Sequence, residues 1–278
     1  MHQAGGSAKD VKLHYEDDKM TFKVYVGSSA GAAISTFLAS GYSIDSIIDA
    51  FEKGSVSDLT QFIRRKKQFY SRLKPITYLD IFQFNGGHFL SVIPNVLRRQ
   101  SLITGGIEAL IKSGLKINGL FTAKGIERYL RKHVLTDNNF SSLGAEHFIV
   151  STQLNHSRKV IFGNFKERKK DKNIYYANFV KISDAVAASI SIPPVFSPYK
   201  ILNEKGEDYY FFDGEIRDTL STHVAAGHGA DLVISSYSWQ PYHYTNRHGS
   251  LHNFGIPVIV NQAIYQIVEQ KIQKHIEH

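Results

Sequence analysis

Apolar and polar residues alternate over Thr21–Val26, where Phe22, Val24 and Val26 oppose Lys23 and Tyr25, and this period of two predicts a strand. The pattern then changes. Ala30 to Leu38 is small and helix-compatible, and Ser43 to Phe51 has helical spacing behind a serine placed to cap it. Lys12 to Lys19 is polar, a helix fragment or a loop. Ala123 to His133 carries Ile126, Tyr129 and Leu130 on one helical face. Strand patterning returns at His147–Thr152 and Lys159–Phe162, with a short extended run at Ile174–Phe179 and a charged loop, Lys166–Lys172, between.

Farther along, Ser183-Asp184 caps a small helix through Ala188, and Pro193, Pro194 and Pro198 stiffen the loop after it. Asp208–Phe212 predicts a strand that closes at Asp213-Gly214. A helix at Ser221–Ala226 follows, then a strand at Leu232–Ser236. From Val258 to His275, apolar residues at helical spacing predict a terminal helix docked on the body. Strands alternating with helices, and no internal repeat, argue for an α/β fold with a mainly parallel central sheet flanked by helices.

A chain of 278 residues accommodates one substantial core, or one core with a sizeable insertion. No run approaches the ~18–20 apolar residues of a membrane span, and no signal peptide is visible. The compartment stays open, with soluble and peripheral membrane states both compatible. Zero cysteines exclude disulfides, Cys-zinc sites and a thiol nucleophile. The 13 histidines fall in no metal-binding spacing and read as surface and packing residues, so no metal is expected.

Charge is unevenly placed. Residues 55–132 hold 14 Lys/Arg against 4 Asp/Glu, whereas the whole chain carries only +8. Within that span residues 55–118 read as a basic, aromatic-rich helical cap inserted into the main domain. Phe62, Arg64, Arg65, Lys66, Lys67 and Phe69 place cations beside rings, a composition that suits an anionic lipid interface. A helical cap with inward-facing aromatics and a merely solvated basic face is the plainer alternative. Nucleic-acid binding is not expected, because no recognition motif accompanies the charge.

The candidate chemistry lies at the first strand-to-helix junction. Gly27-x-Ser29-x-Gly31 has the spacing of a nucleophile elbow, in which a serine sits on a sharp turn between small neighbours. Glycine at both flanks is expected to remove β-carbons that would collide. The N-terminus of the following helix favours a developing negative charge. A tight turn without chemistry is the alternative. A serine needs a base, and two routes exist. The order Ser…Asp/Glu…His would draw on His223, His228, His243, His248 or His252, but at most one strand fits before residue 29, where an α/β-hydrolase requires several. The other route is a serine–aspartate dyad, for which Asp213 is the best candidate. It closes the apolar run Tyr209-Tyr210-Phe211-Phe212, and Gly214 permits a tight turn and close approach. Partial desolvation there raises the carboxylate's proton affinity. Asp-Gly is also an everyday turn dipeptide.

Three segments together carry a resemblance: Gly27-x-Ser29-x-Gly31-Ala32, Ala188-Ser189-x-x-Ile192-Pro193-x-x-Phe196-x-Pro198, and Phe212-Asp213-Gly214 before Gly229-Ala230-Asp231-Leu232-Val233-Ile234. In order, and in the roughly 180-residue gap from serine to aspartate, they resemble patatin-like phospholipases. The resemblance implies a single three-layer catalytic domain over 1–278, with Ser29 as nucleophile, Asp213 as base, and no cofactor. It also implies a phospholipid or other acyl-lipid substrate and cleavage through an acyl-enzyme. Peripheral contact with an anionic membrane is expected from the basic cap; oligomeric state is left open. The family's oxyanion loop, Gly-Gly-Gly-x-Arg/Lys-Gly, finds its nearest match in Gly5-Gly6-Ser7-Ala8-Lys9-Asp10, so Gly5, Gly6, Ser7 and Ala30 are the expected oxyanion donors. Too few residues precede Gly5 for a first strand, so residue 1 is not expected to be the natural start of the fold. Glu215 replaces the family's second glycine after the aspartate. The altered loop admits a second possibility, a catalytically impaired lipid- or membrane-binding protein of the same fold.

Overall fold

One strand organises the sheet, and both candidate site residues stand at the ends of strands paired along it. The computed structural model describes residues 15–16, 19–20, 22–55, 73–85, 118–165, 171–238, 241–244 and 250–276. In chain order these form β1 (Val24–Ser28), α1 (Ala30–Ala39), α2 (Ile44–Ser55), α3 (Lys124–His133), β2 (Glu146–Gln153) and β3 (Arg158–Gly163). They continue with β4 (Ile174–Ala177), α4 (Ile182–Ser189), β5 (Tyr199–Leu202), β6 (Asp208–Asp213), α5 (Thr222–Gly227) and α6 (Ile256–Ile276).

The six-stranded sheet is mixed. β1 pairs parallel with β2, and β3 with β4; β2–β3, β2–β6 and β6–β5 are antiparallel. Connection length explains the choice: the short turn 154–157 can only fold β3 back on β2, whereas the long path from β1 to β2 passes through helices and returns parallel. A strand has two edges, and β3 occupies one edge of β2 from Phe148 to Gln153. β1 and β6 therefore share the other. β1 covers Glu146 to Val150, ending with Ser28 opposite Val150. β6 arrives from the opposite direction and ends with Asp213 opposite Ser151. The C-terminal ends of two strands thus meet head-on at adjacent positions of a third.

Side chains alternate across the sheet, as a period of two requires. Ile149, Val160, Phe162 and Phe211 point into the larger core with Phe37, Ile126, Leu130 and Val186 of the helices. Phe148 and Ile161 point the other way, packing with Phe165 and with Val224 of α5. Helices on both faces of one sheet make three layers, the α/β architecture expected from the alternation of elements.

Several expected boundaries shift for identifiable reasons. Ser43 caps α2 as expected, its hydroxyl accepting the Ser46 amide at 3.3 Å. Ser183 does not cap α4: it lies inside the helix, and its amide donates to Asn138 Oδ1 at 2.9 Å. Tyr15–Glu16 and Lys19–Met20 form a two-residue antiparallel ladder where a helix fragment or loop was expected. Leu232–Ser236 is not a strand. It pairs with no described strand and lies exposed, because alternation supplies the pattern of a strand but not an edge to bond to. α6 does dock, through buried Val268 and Ile272 and a 2.6 Å bond from Lys271 Nζ to the Ile216 carbonyl.

Of residues 55–118, the stretch 73–85 is described and packs on the body. Leu73 and Ile76 are buried in the larger core, and the Ile76 amide donates to the Ala50 carbonyl at 2.9 Å. Phe82 stacks on Phe196 and meets Phe121 edge-on, while Phe84 beside Phe121 is 77% exposed. Phe62, Arg64, Arg65, Lys66, Lys67 and Phe69 lie outside the described residues. Among the described residues no helix is long and apolar enough to cross a membrane.

Candidate active site

Ser29 stands at the turn between β1 and α1 with φ 54° and ψ −133°. A residue with a β-carbon rarely adopts that conformation, which costs of order 1–3 kcal/mol and persists only where its surroundings enforce it. Two features enforce it here. A β-carbon on Gly27 would lie 2.2 Å from Ser35 Oγ and 2.6 Å from the Ala32 Cα, so glycine alone lets the strand turn this tightly into the helix. On the other side, the Ser29 amide donates to Ser189 Oγ at 2.9 Å, and that hydroxyl donates to the Val150 carbonyl at 2.6 Å. Ser189, the last residue of α4, thereby ties the elbow to β2.

Gly31 differs from the expectation. A β-carbon there would meet nothing within 4 Å among the described residues, so the second glycine of the motif is not required by close packing. Among the described residues the steric demand at this elbow falls on Gly27. Ala30 opens α1 and is exposed, with its amide among the helix N-terminal groups that lack an intrahelical acceptor. Gly5, Gly6 and Ser7, the other expected oxyanion donors, lie outside the described residues.

Asp213 is fully buried. Its amide donates to the Ser191 carbonyl at 3.1 Å, which joins the end of β6 to the loop after α4. Its Oδ1 accepts the Glu215 amide at 2.9 Å; its Oδ2 is buried and completes no hydrogen bond of full geometry. Gly214 makes the approach to β1 possible, since a β-carbon there would lie 2.5 Å from the Val150 carbonyl oxygen and 2.7 Å from Ser28 Oγ. Ser29 and Asp213 come together in this way. Burial pushes the Asp213 carboxyl up to about 7; the nearby Ser29 hydroxyl and the Glu215 amide pull the other way, and the Glu215 charge adds to the rise. The desolvation anticipated at the end of an apolar strand is complete rather than partial.

A serine hydroxyl at a helix N-terminus beside a carboxyl that gains and loses its proton near neutrality is the arrangement nucleophilic attack with general-base assistance requires. Among the histidines weighed as alternative bases, the described ones are engaged elsewhere or exposed. His223 accepts from Lys159, His228 Nδ1 lies 3.3 Å from Glu146 Oε2, and His252 Nδ1 lies 2.9 Å from Ser250 Oγ. His243 is exposed, and His248 lies outside the described residues. His147 is buried beneath α1, its Nε2 3.0 Å from Ser35 Oγ, and burial pushes it down to about 3, so it stays neutral. Among the described residues no group of His, Asp and Glu is arranged to hold a metal ion.

The sequence assigns no role to Ser189, although it lies in the Ala188–Pro198 motif, because nothing local marks a serine that bonds across to another segment. It also assigns none to Lys159, which sits 5% exposed at the start of β3. The family model of patatin-like phospholipases matches residues 5–226. No curated protein matches the chain.

Proposed function

Because the chain belongs to the patatin-like phospholipase family, a family typically of lipid acyl hydrolases, we propose that it cleaves fatty-acyl esters of phospholipids or lysophospholipids through a Ser29–Asp213 dyad. The observation that carries this reading is the pairing of a backbone-strained serine with a fully buried carboxyl at the junction of three strands. In the first half-reaction Ser29 Oγ attacks the ester carbonyl and Asp213 takes its proton. Negative charge gathers on the carbonyl oxygen, and the amide of Ala30 faces it, with Gly5, Gly6 and Ser7 as the further donors. Collapse of the tetrahedral species breaks the ester C–O bond, and Asp213 returns the proton to the departing alcohol. Water then attacks the acyl-enzyme, losing a proton to Asp213, and the fatty acid leaves as Ser29 is restored. Donors aimed at such an oxyanion supply about 3–4 kcal/mol each.

Substrate approach in this reading is peripheral. The basic span 55–132 draws the protein to an anionic surface, each cation near the lipid contributing about 1 kcal/mol, and the exposed Phe84 lies in the same region. The test is fatty-acid release from defined phospholipid and lysophospholipid vesicles. Wild type is expected to release fatty acid, and Ser29→Ala and Asp213→Ala to release none while remaining folded. Turnover that survives either substitution rejects the dyad. Sedimentation with anionic vesicles without any release by wild type assigns the chain to the lipid-binding alternative.

A further inference from the structure

The chain from the end of α4 into the following loop holds both members of the dyad. Ser189 accepts the Ser29 amide on its hydroxyl, and the Ser191 carbonyl accepts the Asp213 amide. The loop then stays at the same end of the sheet. It delivers the chain to Tyr199, which pairs with Phe211, two residues short of Asp213. Along it Ile190, Ile192 and Val195 are apolar and only partly buried, so an apolar surface leads away from the dyad.

A second segment is locked onto this loop. The Phe121 amide donates to the Val195 carbonyl at 2.9 Å, and the Ser197 amide donates to the Phe121 carbonyl at 2.8 Å. A β-carbon on Gly119 would lie 2.2 Å from the Ser197 nitrogen, so glycine alone lets the two backbones touch. Phe121-Thr122 pairs antiparallel with Gln83-Phe84, and the Asn85 amide donates to the Leu120 carbonyl at 3.1 Å. The helical turn Tyr78–Ile81, just before this ribbon, is closed by a capping box of Thr77 and Asp80, and Ile76 ahead of it is buried. Both strands of the ribbon are thus held in place.

Four rings run in contact from the loop outward. Phe196 lies 6.2 Å from Phe121 and 5.5 Å from Phe82 between centroids, and Phe121 lies 5.1 Å from Phe84. Phe196 is buried, whereas Phe84 at the outer end stands largely in water. A ring on a support this rigid has little conformational freedom left to lose, so an apolar partner that covers it gains nearly the full benefit of burial. One end of this apolar path lies at the residues that hold Ser29 and Asp213, and the other end is open.

We propose that Ile192, Val195, Phe121 and Phe84 form the subsite for the acyl chain of the substrate, with Phe84 as the specificity-determining residue that favours long chains over short ones. The proposal rests on the dyad reading above and adds to it the direction in which the chain lies. With the ester carbonyl at Ser29, the first methylenes pass along the loop after Ser189 and the later ones reach Phe121 and Phe84. A short acyl group ends before the ribbon. None of these four side chains takes part in bond making, and their contribution is the apolar area that the chain covers.

Hydrolysis of p-nitrophenyl butyrate and p-nitrophenyl decanoate, each below the concentration at which it aggregates, tests this in wild type, Phe84→Ala, Phe84→Leu and Leu202→Ala. Leu202, exposed at the far end of β5, is the control for loss of any surface apolar group. Wild type is expected to favour decanoate in kcat/KM. The decanoate-to-butyrate ratio should fall about tenfold in Phe84→Ala, the loss of contact with about two methylenes. Leucine at that position should restore most of the ratio, and Leu202→Ala should match wild type. The proposal is overturned by a wild type without preference, by a ratio unmoved in Phe84→Ala, by a leucine variant as weak as alanine, or by an equal fall in Leu202→Ala. A merely structural role lowers turnover of both esters and leaves the ratio in place. A wild type inert on both esters refutes the dyad reading instead, and the subsite is then read by binding. Isothermal titration calorimetry with monomeric dodecylphosphocholine should show about tenfold weaker binding in Phe84→Ala than in wild type; equal affinities, or no binding by wild type, overturn the subsite.

Discussion

Replacing Asp213 by Asn should stabilise the protein at alkaline pH while abolishing turnover, and the size of the gain follows from burial. The carboxyl titrates near 3.8 when exposed and at about 7 in the folded chain. The folded state thus holds this proton more tightly than the unfolded state does. Below pH 3.8 both states are protonated and the group has no effect on stability. As pH rises from there toward 7, the unfolded chain releases the proton first, so folding is progressively opposed, and above about 7 the loss is complete. At about 1.4 kcal/mol per tenfold difference in proton affinity, that interval amounts to about 4 kcal/mol. Asparagine keeps an acceptor for the Glu215 amide and carries no charge at any pH. Its advantage over wild type should therefore be small near pH 4 and grow to about 4 kcal/mol by pH 8.

Urea unfolding followed by far-UV circular dichroism at several pH values between 4 and 8 measures the difference directly. Titrations common to both proteins cancel, and any constant offset from the new amide, whose N–H group needs an acceptor beside the orphaned Oδ2 position, does not vary with pH. The slope is what decides. A stability gap that stays flat from pH 4 to 8 would refute the claim that burial holds the Asp213 proton, and with it the account of Asp213 as a base that works near neutrality.

Three further outcomes follow from the elbow. Ser29→Gly should be more stable than Ser29→Ala by about 1 kcal/mol despite glycine's greater unfolded-state entropy, because glycine relieves the positive φ; chemical denaturation of the two inert variants checks it. Ser189→Ala removes the hydroxyl that bonds both the Ser29 amide and the Val150 carbonyl, and should lose about 2 kcal/mol of stability and about tenfold in kcat, with KM nearly unchanged. Gly27→Ala should destabilise by about 2 kcal/mol or more from backbone overlap, whereas Gly31→Ala, with open space at its β-carbon, should stabilise α1 by up to about 1 kcal/mol; thermal melts of both distinguish the two glycines of one motif.

What the sequence made legible was whatever is local. β1 and β6, the N-cap of α2 and the apolar face of α3 all follow from periodicity and from small polar residues at boundaries, because those signals act within a turn or two of the residue that carries them. Ser29 and Asp213 were legible as the ends of strands. Their meeting was expected only from the spacing and order of the motifs that carry the family resemblance, not from any local pattern, since 184 residues separate them and the register on β2, with Ser28 opposite Val150 and Asp213 opposite Ser151, is what brings the ends together. Leu232–Ser236 failed for the complementary reason: it has a strand's pattern and no described partner. Gly31 shows a motif position whose presumed steric cause is absent among the described residues.

The same distinction explains why Ser189 and Lys159 were assigned no role. Each acts by reaching another segment, and each belongs to a residue type that is ordinary where it stands. The site itself concentrates two unfavourable features, a strained backbone at Ser29 and an ionisable group buried at Asp213. Either alone would relax if its surroundings gave way. Here both are anchored to consecutive residues of β2, a strand paired along both edges and buried from His147 to Gln153. Rigid pairing on both sides prevents the carboxyl from turning toward water or the serine from sliding into an ordinary helical start. A substitution that loosens β2, far from any reacting atom, should therefore lower the affinity of Asp213 for its proton as the site hydrates. Ser151→Ala, which removes a 2.8 Å bond to the Phe212 carbonyl, is such a change. The expected sign is a shift of the acid limb of turnover to lower pH, and a limb that stays in place while stability falls would separate the rigidity of β2 from the tuning of Asp213.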